Sequence, residues 1–202
     1  MPGTPTTTPA PFKPRHADPP PAVRRIADGV LRRVRLLWVR LRYPRADFGR
    51  GCDVRRRFEL RIGRRAQARF GRRCVIDKDA TVEVEGTLVV GDRTIFGHHL
   101  TLAARESVVI GEDCLIAEMV SIRDHDHCFD LPDVPTRDQG AVISPVRIGR
   151  NVWVGAKVTI VKGVSIGDNA VIGANAVVTR DVPPNAIAVG IPAKVIRMRT
   201  EA

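Results

Sequence analysis

From Ile148 to Val178 a branched aliphatic residue returns at every sixth position: Ile148, Val154, Ile160, Ile166, Ile172, Val178. A period of six fits neither an α-helix nor an alternating strand. A fixed short period is the mark of a solenoid, in which each turn buries its apolar face on the next. The same lattice runs upstream through Phe70, Ile76 and Val82, slips by two residues to Val90, Phe96 and Leu102, and slips by two again to Ile110, Ile116 and Ile122. Three hexads to a frame make one turn with three flat faces. The inserted pairs, around Glu85-Gly86 and Glu106-Ser107, are expected to bulge at a corner, and Phe48 and Val54 read as a degenerate terminal turn. With aromatic residues at only 4%, the layers must be filled by Val, Ile, Leu and Ala.

The residue after an anchor is repeatedly small, as at Gly71, Gly91, Gly111, Gly149, Gly155, Gly167 and Gly173, and Asn151, Asn169 and Asn175 follow two places later. Both residue types tolerate unusual backbone angles, so a tight corner is expected after every short strand. Cys52, Cys74 and Cys114 each fall four residues after an anchor and are expected to be small inward-facing core residues. The cysteines form no CxxC pair and no zinc-site spacing, which points to neither a disulfide framework nor a metal and suits a reducing cytoplasm.

The net charge of +11 is unevenly spread: residues 1–73 hold 20 of the 33 Lys and Arg but only 5 of the 22 Asp and Glu. Such asymmetry suggests an anionic partner, or else a solvated basic face. Residues 1–21, rich in Pro and Thr, read as a disordered tail with no signal-peptide core. Residues 22–44 place Val23, Ile26, Ala27, Val30, Leu31, Val34, Leu37, Trp38 and Leu41 at helical spacing among seven arginines, a basic amphipathic helix. Its apolar stripe either lies on an anionic membrane surface, at the inner face if the protein is cytoplasmic, or packs on the solenoid or a neighbouring subunit. Nucleic acid is not expected, since no recognition motif or aromatic stacking platform is present. The solenoid is expected over residues 45–197, with a short tail at 198–202.

Between Ile122 and Ile148 the lattice stops. Residues 123–147, RDHDHCFDLPDVPTRDQGAVISPVR, are polar, contain proline and are too long for a corner, so they should project as a loop, where function tends to sit. His125 and His127 in this loop are the candidate general bases, histidine being suited to taking a proton near neutrality. Either Asp124 or Asp126 could orient an imidazole. Cys128 stands beside them as a candidate nucleophile, although a sequence neighbour need not point the same way.

Two stretches, IGEDCLIAEMVSI from Ile110 and IGRNVWVGAKVTIVKGVSIGDNAVIGANAVVTRDVPPNAIAVGIPAKVIR ending at Arg197, resemble the hexapeptide-repeat acyltransferases, and among them the galactoside, maltose and polysaccharide O-acetyltransferases. The resemblance covers roughly residues 90–197 and implies an all-β fold: a left-handed parallel β-helix, a homotrimer, acetyl-CoA as donor in a cleft between subunits, and a hydroxyl-bearing, sugar-containing acceptor. Counting from Leu115-Ile116-Ala117, the family's catalytic histidine falls on His127, with His125 its competitor. For the donor, Trp153 matches the CoA-contacting tryptophan, and Ala156, Ala174, Thr179, Arg180, Lys194 and Arg197 match the pantetheine and phosphate path. No resident metal is implied. Where galactoside enzymes place acceptor-binding Asn and Asp, this chain has Gly97 and Arg105, near His98 and His99, so a simple galactoside acceptor is not implied.

The expected activity is therefore O-acetyl transfer to a sugar, glycan or glycolipid precursor. A xenobiotic acetyltransferase is the alternative within the same chemistry. A metal-dependent protein like the γ-carbonic anhydrases is a weaker one, because His98/His99 and His125/His127 do not match that family's ligand motif.

Overall fold

The computed structural model describes residues 22–199, with side chains from Gly29 onward. The expected Pro/Thr tail, the side chains of Val23, Ile26 and Ala27, and residues 200–202 lie outside the described residues. Helix α1 (Ala22–Arg42) leads into a left-handed parallel β-helix of about seven turns. The first four coils are β1 (Ala46–Phe48), β2 (Asp53–Val54) and β3 (Glu59–Ile62); β4 (Gln67–Phe70), β5 (Val75–Ile76) and β6 (Thr81–Val84); β7 (Thr87–Val90), β8 (Ile95–Phe96) and β9 (Thr101–Ala104); β10 (Ser107–Ile110), β11 (Leu115–Ile116) and β12 (Ser121–Arg123). A two-stranded ribbon, β13 (His125–His127) and β14 (Ala141–Ile143), interrupts them. The coils resume with β15 (Val146–Ile148), β16 (Trp153–Val154) and β17 (Thr159–Ile160), then β18 (Ser165–Ile166), β19 (Val171–Ile172) and β20 (Val177–Val178). β21 (Ala186–Val189) and the antiparallel β22 (Lys194–Met198) close the C-terminal end.

Strands stack into three faces: β1-β4-β7-β10-β15-β18, then β2-β5-β8-β11-β16-β19-β21-β22, then β3-β6-β9-β12-β17-β20. The hexad explains the register, because each anchor sits directly over its equivalent. On the first face Phe48, Phe70, Val90, Ile110, Ile148 and Ile166 form one column. All are buried, and the Phe48 and Phe70 rings stack at 4.8 Å. Each such side chain stabilises the prism by roughly 1.5–3 kcal/mol. The first coil is complete rather than degenerate, with Phe48, Val54 and Leu60 all buried. The inserted pairs do bend at the corner between third and first faces, although the second bend falls at Arg105-Glu106, one residue earlier than expected.

The corners differ from expectation in one respect. Asn151, Asn169 and Asn175 do adopt positive φ, but the same turn position is held by Arg73, Arg93 and Asp113 elsewhere, so the left-handed turn does not require Asn. The glycines of these corners serve a different need. A Cβ on Gly111 would lie 2.6 Å from the Gly149 carbonyl carbon and 2.7 Å from Arg150 N. Coils approach too closely there for any side chain. Just inside the same corner, the buried Cys52, Cys74, Thr94 and Cys114 point their donors at the next coil: Cys52 Sγ to Gly71 O (3.1 Å), Cys74 Sγ to Gly91 O (3.2 Å), Thr94 Oγ1 to Gly111 O (2.8 Å) and Cys114 Sγ to Gly149 O (3.1 Å). The cysteines are thus inward-facing as expected, and they also satisfy glycine carbonyls at the corner. Burial pushes the Cys114 thiol up, and for Cys74 the hydrogen bond with Cys52 and burial both do so, which leaves these two sulfurs unreactive.

Helix α1 seals the N-terminal end. It does so with Leu36 and Val39, which are buried, and with Tyr43 just beyond it, whose hydroxyl accepts a hydrogen bond from Leu60 N at 3.3 Å. The described part of the stripe, Val30, Leu31, Val34, Leu37, Trp38 and Leu41, is 52–73% exposed and faces away from the solenoid. The reading in which that stripe packs on its own β-helix is therefore wrong: with 3.6 residues per turn, Leu36 and Val39 occupy the opposite side of the helix. Among the described residues no helix is long and apolar enough to cross a membrane.

We expect Gly111→Ala to destabilise the fold by about 1–3 kcal/mol through backbone collision. Gly29→Ala, in the helix with no described atom beyond the helix's own backbone within 4 Å of an added Cβ, should stabilise it by roughly 1 kcal/mol. Denaturant unfolding of the two variants checks both signs.

Candidate active site

The ribbon springs from the corner between the third and first faces of the fourth coil. Two residues after the third-face anchors of the second and third coils the chain turns inward, giving the buried positions Val84 and Ala104, paired in register. The equivalent residue of the fourth coil is Asp124, which is fully buried. Its carboxylate accepts hydrogen bonds from three successive backbone N–H groups of the coil before it, Arg105 (2.9 Å), Glu106 (2.7 Å) and Ser107 (2.9 Å). A fourth partner is His125, with Nδ1 3.1 Å from Asp124 Oδ1. Burial alone would raise the Asp124 pKa, but the N–H groups of Arg105 and Glu106, the His125 imidazole and Ser107 N–H together hold it below the ordinary carboxylate value. Asp124 also closes the loop through its backbone, its carbonyl accepting from Ser144 N at 2.8 Å.

From this root β13 and β14 pair antiparallel, His125 with Ile143, Asp126 with Val142 and His127 with Ala141. Side chains alternate along a strand, so His125 and His127 share one face of the ribbon and Asp126 takes the other. Asp126 Oδ2 lies 2.6 Å from Lys162 Nζ, an ion pair that ties the ribbon to the fifth coil. His125 is held close to the prism, its side chain 15% exposed, whereas His127 is exposed at the outer end. With Nδ1–H directed at Asp124, the Nε2 of neutral His125 carries the free lone pair. The tip is organised by Gln139, which accepts from Leu131 N (3.0 Å) and donates to Leu131 O (2.8 Å) and Val134 O (2.7 Å). Phe129 and Leu131 nevertheless stand exposed there. Cys128 is partly exposed at the base of the tip, its N–H bonded to Gly140 O.

The other sequence-selected residues fall on different edges of the prism. Trp153 lies on the outer surface of the second face, 52% exposed, between Leu115 and Val171 and in line with the exposed Ile95. Ala156 and Ala174 stack on consecutive coils at the next corner, joined by Asn175 N to Ala156 O (2.8 Å). Lys194 and Arg197 belong to β22, which extends the Trp153 face at its end. Only Thr179 and Arg180 share the ribbon's corner, two coils further on. Within one chain, then, Trp153 and the histidines do not converge. Arg105 lies at the ribbon's foot, whereas Gly97, His98 and His99 sit at the Ala156 corner, so the two histidine pairs are on separate edges; among the described residues no three His, Cys, Asp or Glu come together as a metal cage.

Geometry of this kind, a three-faced hexad solenoid interrupted by a histidine ribbon, defines a class. Residues 145–180 match the family model described as the hexapeptide repeat of succinyl-transferase. The chain is 36% identical over 152 residues to the Mycobacterium tuberculosis protein named Probable acetyltransferase Rv3034c, covering 75% of this chain and 49% of that one. Over 111 residues it is 37% identical to the galactoside O-acetyltransferase of Escherichia coli, covering 54% and 52%. A solved structure of a hexapeptide-repeat acetyltransferase of Vibrio cholerae, complexed with acetyl-CoA, superposes with TM-score 0.55 at 25% identity, covering 77% of this chain and 72% of that one. These matches make the chain similar to hexapeptide-repeat acetyltransferases, and it spans about half the length of the two curated relatives just named.

Asp124→Asn would present a carboxamide NH₂ or a single oxygen to three N–H donors, and at least one donor would be left unpaired. We expect the amides of Arg105, Glu106 and Ser107 to exchange with solvent at least about 10-fold faster, equivalent to ~1.4 kcal/mol. Because the folded-state pKa of Asp124 is depressed, its contribution is present at neutral pH and disappears as pH falls below the ordinary carboxylate range. Hydrogen exchange in the wild type should therefore show the same amides loosening in acid.

Proposed function

We propose that this protein is an acyl-CoA-dependent O-acetyltransferase that moves an acetyl group to a hydroxyl of a sugar, glycan or glycolipid precursor. The observation that carries the reading is the anchored ribbon: a buried carboxylate and an ion pair fix a strand that carries two imidazoles on one face, His125 close to the prism and His127 exposed. Positioned bases of this kind contribute roughly 10²–10⁴-fold to proton-coupled transfers. In our reading His127, exposed and at the position that corresponds to the family's base, takes the proton of the acceptor hydroxyl as its oxygen attacks the thioester carbonyl. The carbon–sulfur bond then breaks, and the imidazolium returns the proton to the departing CoA thiolate. His125, tied to Asp124, sets the ribbon's orientation beneath it. No acyl-enzyme on Cys128 is needed.

Acetyl-CoA is the proposed donor, in keeping with the acetyl-CoA bound to the Vibrio relative. Trp153 would contact it, Ala156 and Ala174 would leave room for the pantetheine arm, and Thr179, Arg180, Lys194 and Arg197 would meet its phosphates. A homotrimer is proposed because the family resemblance implies one, and the geometry is consistent with a site shared between neighbours. The Trp153 face and the histidine ribbon lie on different edges, so one subunit's tryptophan can meet histidines only on a neighbour, which would also cover the exposed Ile95, Leu115 and Trp153 line. A sugar-type acceptor is supported by the galactoside relative. The antibiotic-acetylating alternative has no comparable support.

Steady-state acetyl transfer to a panel of sugars and glycolipids tests the reading. His127→Ala should lower kcat by at least about 100-fold with the oligomer intact. His125→Ala should cost less, and the reverse order would move the base to the Asp124–His125 pair. Unchanged turnover in both variants would remove the enzymatic reading.

A further inference from the structure

We propose that helix α1 is a docking surface for an anionic lipid bilayer. The first observation is the direction of its apolar stripe. Val30, Val34, Leu37 and Leu41, spaced by three and four, run with Leu31 and Trp38 along the side of the helix opposite Leu36 and Val39. Leu36 and Val39 suffice to fix the helix on the first coil, assisted by Arg40, which donates to Phe48 O and Gly49 O. The stripe is thus held in place but left uncovered by the described residues.

The second observation is charge. From Gly29 to Arg45 the chain carries six arginines and no acidic residue. Arg33, Arg35 and Arg42 flank the stripe, and they and Arg45, Arg64 and Arg65 on the adjoining first coil have no ion-pair partner among the described residues. By contrast, neighbouring Arg55, Arg57 and Arg61 are paired with Asp77, Asp79 and Glu83. An apolar ridge between unpaired guanidinium groups matches the boundary of an anionic membrane, with acyl chains below, lipid phosphates level with the arginines, and an indole at the interface. A second copy of the helix fits worse, because pairing two stripes would bring flanking arginines together with Asp28 as the one carboxylate in the helix to offset them. The docking is peripheral, since the helix is not apolar enough to span a bilayer. It concerns the N-terminal end of the solenoid and is independent of the transfer reaction.

The test is sedimentation of the full-length protein with vesicles of phosphatidylglycerol and phosphatidylcholine, against pure phosphatidylcholine vesicles. Binding is expected to the anionic vesicles only, and should weaken as salt is raised. In a Trp153→Phe background, Trp38 emission should shift to the blue on binding. Arg33→Gln with Arg42→Gln should weaken binding roughly 30-fold. Leu37→Glu with Leu41→Glu should abolish it without changing the circular dichroism or the oligomeric mass, because both side chains are exposed. Wild-type protein that ignores anionic vesicles would overturn the proposal. So would a Leu37→Glu, Leu41→Glu variant that falls apart into smaller species, which would make the stripe an interface between copies of this chain.

Discussion

Everything in this molecule depends on how closely one coil can lie on the next. Parallel strands hydrogen-bond at about 4.8 Å, and at the corner between the first and second faces the backbone must keep that spacing while it turns. Only a residue without a Cβ fits, which is why Gly71, Gly91, Gly111 and Gly149 stand in column. Once the corners are that tight, the anchors superpose, the inward column fills with Val, Ile, Leu and Phe, and the thiol and hydroxyl donors of Cys52, Cys74, Thr94 and Cys114 fall within reach of glycine carbonyls one coil away.

A scaffold so regular has little capacity to concentrate chemistry on its own faces. The ribbon resolves this by leaving the lattice at one corner and rejoining it without a break in stacking. Ser144 N bonds back to Asp124 O, and Gly163 N of the following coil bonds to Ser144 O, so the ladder of the corner continues past the insertion. The two histidines therefore inherit the rigidity of the solenoid, a condition for any group that must hold a proton-transfer geometry.

Much of the fold was legible in the sequence because its physical cause is local. The six-residue spacing reports inward-facing positions directly, and the loop announced itself as a gap between Ile122 and Ile148. The purpose of the glycines was not legible, since a close approach between coils and a positive φ both select the same residue. The orientation of the helix was misleading for a related reason: nine apolar positions outvote two, yet Leu36 and Val39 make the contact. Asp124 could have been found. Its position, two residues after Ile122, matches the buried Val84 and Ala104, and a carboxylate in a core column demands donors. His125 and His127 were legible as a pair, but which of them has an orienting partner depended on which aspartate the fold buries.

Apart from its contact with the His125 imidazole, the carboxylate of Asp124 grips the neighbouring coil through main-chain N–H groups, which every residue except proline supplies. Such an anchorage is indifferent to the side chains at 105, 106 and 107 and equally indifferent to what lies beyond the ribbon. Residues 128–140 can consequently lengthen, shorten or change chemistry while the imidazoles stay where they are. The insertion works as an exchangeable cassette: its tip can change without rebuilding the frame that holds the histidines.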